Sequence, residues 1–121
     1  MNEVVRGLAR KVWITLGPGY SERIYHNAME VGFRGLQIPY QTERIVPVMF
    51  DGHAIGNIRA DLILNSSMII ELKSVKALKE EHRTQTRMYM RLLDIAEGML
   101  INFPNSDGDL EVENIKILLD V

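Results

Sequence analysis

Met68-Ile69-Ile70-Glu71-Leu72-Lys73-Ser74-Val75 is an apolar run that carries two opposite charges, two residues apart. On a β-strand successive side chains alternate between faces, so Glu71 and Lys73 point to the same face. Charges are rarely placed in a buried strand unless something pairs with them. Two explanations are open from this stretch alone: an ion pair at the surface end of a strand, or a site that holds a metal ion and a phosphate.

Composition bounds the class of protein. With 121 residues, 46% hydrophobic and 25% charged, the chain predicts a single globular domain over residues 1–121. It contains no cysteine, which excludes a disulfide framework, a thiolate zinc site and a cysteine nucleophile. The first residues lack the apolar core of a secretory signal, and no apolar run approaches the roughly 18 residues that span a bilayer. We therefore expect an intracellular protein, cytoplasmic or nuclear, with no membrane association.

The spacing of apolar residues predicts three helices and five strands. The helices are predicted over 3–16, 20–33 and 77–96, and the strands over 41–50, 53–64, 68–75, 99–103 and 110–119. Turn signals at Asp51-Gly52 and Asn65-Ser66-Ser67 join the first three strands into an antiparallel meander. A helix between the third and fourth strands favours a parallel pair there. The predicted fold class is α/β, a mixed β-sheet with a central antiparallel meander flanked by helices, in the order α-α-β-β-β-α-β-β.

Asp61 is another charge within an apolar strand. Position 66, in the following turn, lies midway between Asp61 and Glu71, so the two carboxylates are predicted to face each other. They repel unless a cation lies between them, and either Lys73 or a divalent metal supplies that charge. Oxygen ligands without cysteine or clustered histidine select hard cations such as Mg²⁺ or Mn²⁺. Glu22, in the first turn of the second helix, is a candidate third acid, although the helix dipole alone also favours an acid there.

The order of these residues resembles the PD-(D/E)XK nuclease superfamily, with Asp61 on one strand and Glu71-x-Lys73 on the next. Residues 19–25, Gly-Tyr-Ser-Glu-Arg-Ile-Tyr, are similar to the signature of the GxxExxY proteins, a branch of that superfamily. Ala60 stands where the superfamily name has a proline. Further motifs follow in the family's order over residues of about 3–117: Gly17-Pro18-Gly19, Gln41, Asp51-Gly52, Arg59-x-Asp61, Gln85 with Tyr89, and Leu100-Ile101-Asn102-Phe103.

The resemblance implies a restriction-endonuclease-like core and a role for each site residue. Asp61 and Glu71 would bind Mg²⁺ or Mn²⁺ with the backbone carbonyl of Leu72, and Glu22 would add a ligand or contact a water. Lys73 corresponds to the catalytic lysine. Gln85 corresponds to the glutamine that orients the site. The implied enzyme is a metal-dependent nuclease or endonuclease that hydrolyses phosphodiester bonds, in DNA in preference to RNA.

The remaining candidates are less specific. Tyr25 and Tyr89 are expected in the core with hydrogen-bonded hydroxyls. The three histidines are scattered in sequence and are expected at the surface; they are His26, His53 and His82.

A basic segment supplies the candidate surface for nucleic acid. Within residues 72–91 six lysines or arginines stand against two glutamates, a local charge of +4 on a chain whose net charge is −2. The candidate phosphate contacts are Lys76, Lys79, Arg83 and Arg87, which a solvated helix face explains equally well. A chain of this length leaves no room for a recognition domain, so a homodimer or a partner protein is expected to help hold DNA. The alternatives are a nucleic-acid-binding or assembly module with little or no activity, and a hydrolase of small phosphate esters.

Overall fold

The structure, a computed structural model, describes residues 1–119. Its elements follow the predicted order and are α1 Asn2–Leu16, α2 Glu22–Gly35, β1 Tyr40–Phe50, β2 His53–Leu64, β3 Met68–Lys73, α3 Glu80–Leu93, β4 Glu97–Asn102 and β5 Glu111–Lys116. Gly17, at a φ of 69°, ends α1 and donates its N–H to the Trp13 carbonyl. No helix in this part of the chain is long and apolar enough to cross a membrane.

The five strands form one mixed sheet in the order β1-β2-β3-β4-β5. Only β3 and β4 are parallel, which confirms the pairing expected from the crossover through α3. In the β2–β3 hairpin Leu62 pairs with Ile70 and Leu64 with Met68, a register that is symmetric about residue 66. Because pairing ends at Leu62 and Ile70, Asp61 and Glu71 lie side by side where the two strands begin to diverge.

Helices cover both faces of the sheet. One cluster joins α1 and α2 to the sheet through Val5, Ala9, Tyr25, Met29, Phe33, Leu62, Leu64, Ile70 and Leu72. The other joins α3 to the opposite face through Ile63, Ile69, Tyr89, Met90, Leu100 and Ile115. Strands β3 and β4 are covered on both faces, which explains their continuous apolar sequences. The fold is therefore a three-layer arrangement with the diverging strands at one end.

The third helix is shorter than predicted. It runs over Glu80–Leu93 and not over 77–96. His82 Nδ1 accepts the Lys79 N–H at its start, and Asp94, in the left-handed conformation at a φ of 55°, ends it. The predicted helix was too long because Leu78 and Ile95 continue the helical spacing of apolar residues. Both lie in the connections that flank α3, and both are buried in the same cluster as α3. At these two positions apolar spacing indicated a buried side chain but not a helical backbone.

Candidate active site

Asp61 and Glu71 replace bonds of the β2–β3 ladder with bonds from their side chains. The Asp61 N–H donates to Glu71 Oε1 at 3.1 Å, and the Leu72 N–H donates to Asp61 Oδ2 at 2.9 Å. Each carboxylate is thus held by the backbone of the opposite strand. The second oxygen of each carboxyl group is left for a proton or a cation.

The β1–β2 ladder is interrupted at the same level. Its register continues past Glu43 and Asp61, but these two residues do not pair. Glu43 has a φ of 53°, in the left-handed region that non-glycine residues rarely adopt. Its carboxylate contacts Arg23 of α2 and lies 3.9 Å from the Arg59 guanidinium of β2. This irregularity of β1 thus lies opposite Asp61, whose N–H is bound by the Glu71 carboxylate.

Among the acids of the site, Glu71 has the most strongly shifted pKa. Its side chain is almost wholly buried, with 2% exposed. Burial, and then the negative charge of Asp61, raise the pKa of Glu71 well above its ordinary value. The Asp61 N–H and the ammonium of Lys73 act in the opposite direction without cancelling this. The pair is therefore a place where added positive charge is strongly favoured.

Lys73 and Gln85 meet on the α3 side of the sheet. The Lys73 ammonium donates to Gln85 Oε1 at 2.9 Å. Tyr89, one helical turn beyond Gln85, is buried, and burial together with the charges of Glu71 and Asp61 raises the pKa of its hydroxyl. The core position expected for Tyr89 is confirmed, but the residue also borders the site. The spacing of four residues between Gln85 and Tyr89, which places both on one face of a helix, was the sequence feature that could indicate this.

Glu22 approaches the site without completing a cluster of acids. It is the first residue of α2 and lies at the exposed rim. Partial burial, and then the charge of Asp61, raise its pKa, while Lys73 and Arg23 lower it. Among residues 1–119, no group of three or more histidine, aspartate or glutamate side chains is close enough to hold an ion. Glu22 is thus close enough to Asp61 and Lys73 for their charges to shift its pKa, and its role as a third ligand or a water contact stays a prediction.

Tyr25 fixes the loop that places Glu22. Its hydroxyl donates to the Gly17 carbonyl at 2.6 Å and accepts the Tyr20 N–H at 3.4 Å. Its ring stacks on Phe103, with centroids 4.5 Å apart. The core role expected for Tyr25 is confirmed. Tyr25 and Glu22 are three residues apart, so a single turn of α2 carries both the tyrosine that holds the loop and the acid.

The basic segment is partly neutralised within the chain. Arg83 donates two bonds to Glu113 of β5, at 2.7 and 2.8 Å, and Arg87 donates to Glu80 at 3.0 Å. Lys76 and Lys79 are exposed. Two of the four candidate phosphate contacts are therefore engaged by carboxylates. The partners Arg83 and Glu113 are 30 residues apart, so a local sequence pattern does not reveal their pairing.

His26 is not at the surface, so that prediction was wrong. It is 3% exposed, with Nε2 at 2.8 Å from Thr42 Oγ1 and 3.1 Å from the Glu30 carboxylate. Packing of α2 against β1 buries this face of the helix. His82 is partly buried at the start of α3, and His53 is exposed as expected.

The donor set fits a hard divalent cation. Asp61 and Glu71 offer adjacent carboxylate oxygens, and the burial of Glu71 beside a second acid favours a positive charge there. The Leu72 N–H faces Asp61, and the carbonyl of a strand residue points to the same side as its N–H. Two carboxylates and one carbonyl suit an ion such as Mg²⁺, which keeps several waters and needs few protein ligands.

Comparisons with known proteins agree with this architecture. A family model for the PD-(D/E)XK nuclease superfamily matches residues 1–115. A search of curated proteins finds no match. Among solved structures, the crystal structure of SSO0001 matches with a TM-score of 0.61 at 24% identity, over 81% of this chain and 50% of that chain. The chain thus spans about half the length of that protein, and the shared α/β fold is restriction-endonuclease-like, as predicted.

Proposed function

The chain belongs to the PD-(D/E)XK nuclease superfamily, and on that premise we propose that it is a Mg²⁺- or Mn²⁺-dependent nuclease that hydrolyses phosphodiester bonds, in DNA in preference to RNA. One observation carries the proposal. The carboxylates of Asp61 and Glu71 are held together by reciprocal backbone bonds, and Lys73 follows on the same face of β3. A structural ion pair at a strand end would not need two acids locked against each other.

In this proposal Asp61, Glu71 and the Leu72 carbonyl hold the cation. When bound, it supplies a nucleophilic water near neutral pH and offsets negative charge on the phosphate. The bonds from the Asp61 and Leu72 N–H groups fix one oxygen of each carboxylate, so little reorganisation is needed when the phosphate arrives. The low exposure of Glu71 excludes bulk water and strengthens each charge interaction in the site.

Lys73 is proposed to stabilise the negative charge that develops on the phosphate. Its bond to Gln85 holds the ammonium on the side of the sheet that Glu71 faces. Glu22, at the rim and with a raised pKa, is suited to contact a water or the substrate from outside the pair. The spacing of Gly19, Glu22 and Tyr25 supports assignment to the GxxExxY branch.

Further parts of the proposal concern the substrate and its setting. With Arg83 and Arg87 engaged by carboxylates, the exposed Lys76 and Lys79 are the stronger candidates for phosphate contacts. A second copy or a partner protein would extend this small surface. We propose that the protein acts inside the cell, because its proposed substrate, nucleic acid, is located there.

A cleavage assay tests the proposal. The chain is incubated with linear, circular, single-stranded and branched DNA, and with RNA, in Mg²⁺ or Mn²⁺. Glu71→Gln and Lys73→Gln are expected to lower the rate by about 10²-fold or more, while Glu81→Gln, which removes an exposed acid of α3, leaves it unchanged. Equal cleavage by all variants would overturn the site.

An assembly module with little activity is the second candidate, because the same carboxylates also complete the strand pairing. It predicts no cleavage of any substrate by the wild-type chain.

A further inference from the structure

Asn102 is a buried amide that the proposed chemistry does not use. It ends β4, has no exposed surface, and belongs to the run Leu100-Ile101-Asn102-Phe103. Its Oδ1 accepts the Val75 N–H at 2.9 Å, and its Nδ2 donates to the Val75 carbonyl at 3.1 Å. Buried amides are retained where their bonds are satisfied, and this one closes a ring with the backbone of a single residue.

Glu111 of β5 extends this contact. Its Oε1 accepts from Asn102 Nδ2 at 2.9 Å and from the Leu78 N–H at 3.1 Å. The two side chains therefore hold Val75 and Leu78, which lie near the two ends of the connection between β3 and α3. We call these four residues the connection clamp.

The clamped connection joins the two parts of the candidate site. It covers residues 74–79 and has no regular secondary structure. Lys73 lies directly before it, and α3, which carries Gln85 and Tyr89, begins directly after it. The Lys73 carbonyl is itself held by the Phe103 N–H at 3.0 Å. The placement of Gln85 relative to Lys73 thus depends on how the connection is fixed.

We propose that Asn102, through Glu111, is a positioning residue that sets α3 so that Gln85 meets Lys73. This rests on the proposed nuclease function for its kinetic consequence, but not for its structural one. If Asn102 only stabilised the core, replacing it would lower the stability of the fold without a specific effect on Gln85.

A charge swap tests the clamp. In Asn102→Asp the new carboxylate still accepts the Val75 N–H, but it cannot donate and it repels Glu111. Adding Glu111→Gln restores a donor between the two positions and keeps an acceptor for the Leu78 N–H. The Val75 carbonyl also accepts the Asn105 N–H at 3.2 Å, so neither variant leaves it unpaired.

The kinetic readout is a double-mutant cycle with Gln85→Ala. Asn102→Asp is expected to lower kcat by about 10-fold or more, with KM for DNA nearly unchanged, and Glu111→Gln is expected to restore most of the loss. In the Gln85→Ala background Asn102→Asp should have little further effect. Equal losses in both backgrounds would overturn the proposal. Thr86→Val is the matched control, because it removes another buried hydrogen bond of α3, 2.9 Å to the His82 carbonyl, away from the clamp.

A second readout does not depend on cleavage. The side-chain amide signals of Gln85, followed by NMR, are expected to shift in Asn102→Asp and to return in the double variant. Unmoved signals would overturn the positioning role even if the chain is an active nuclease. If the signals move as expected in a chain that cuts nothing, the clamp stands and only the nuclease proposal fails.

Discussion

Replacing Glu71 with glutamine should remove a pH dependence of stability that this residue causes. In the folded, metal-free chain, burial and the charge of Asp61 raise the pKa of Glu71, whereas in the unfolded chain it titrates near its ordinary value of 4.5. Below pH 4.5 both states carry the proton and no stability is lost. Above it, the unfolded chain releases a proton that the folded chain retains, so stability falls as pH rises towards the folded pKa.

The size of the effect follows from the one retained proton. The free energy of unfolding should fall by about 1.4 kcal/mol for each pH unit between 4.5 and the raised pKa. The glutamine keeps an oxygen for the Asp61 N–H, so the strand pairing is preserved while the charge is removed. The difference in stability between Glu71→Gln and the wild type should therefore grow with pH and then level off where Glu71 ionises in the folded state.

Urea unfolding from pH 4 to 8 in the presence of EDTA measures this difference, with the single tryptophan, Trp13, as the fluorescent probe. Trp13 lies 6.5 Å from Tyr25 between ring centroids, within the core that unfolding disrupts. Saturating Mg²⁺ should stabilise the wild type, by about 2.7 kcal/mol at one hundred times Kd, and leave Glu71→Gln unchanged. A difference between the two chains that does not vary with pH would refute the reasoning about Glu71.

Three shorter predictions concern other parts of the molecule. Lys73→Gln should abolish most cleavage while moving the thermal midpoint little, because the half-buried ammonium is bonded to one side chain; calorimetry beside the cleavage assay checks both. Lys79→Ala should reduce the slope of log affinity for DNA against log salt by about 0.9, whereas Arg83→Ala, already paired with Glu113, should leave the slope unchanged and lower the thermal midpoint. Gly32→Ala should leave the free energy of unfolding within about 1 kcal/mol of the wild type, because the Cβ that would lie 2.2 Å from Leu8 Cδ1 displaces only the end of a partly buried leucine side chain, while alanine favours the helix by about 1 kcal/mol; a large drop in the urea midpoint would contradict this.

The adjacency of Asp61 and Glu71 was accessible from sequence because it depends only on local features. A short turn fixes the hairpin register, and two residues equidistant from the turn must then lie close together. The observed β2–β3 register bears this out. The parallel pairing of β3 and β4 was equally accessible, because a helix separates them along the chain.

Contacts between distant segments were not accessible in this way. The bond of Arg83 to Glu113 depends on how α3 settles against β5, and the burial of His26 depends on the packing of α2 on β1. A local sequence pattern cannot distinguish an arginine that is open to solvent from one that is already bound. The role of Asn102 could not be predicted for the same reason. It stands in an apolar run, and its partners come from the β3–α3 connection and from β5.

The backbone bonds of Asp61 and Glu71 also bear on how such a chain would decay if it ceased to cut. Both acids contribute to strand pairing, so selection for folding alone would preserve polar acceptors at these positions after activity was gone. Lys73 and Gln85 bond chiefly to each other, and nothing in the strand pairing requires their side chains. A descendant that had become an inactive scaffold would therefore lose the lysine and the glutamine first. In the proposed nuclease, the presence of both Lys73 and Gln85 is therefore a better sign of activity than the presence of the two acids.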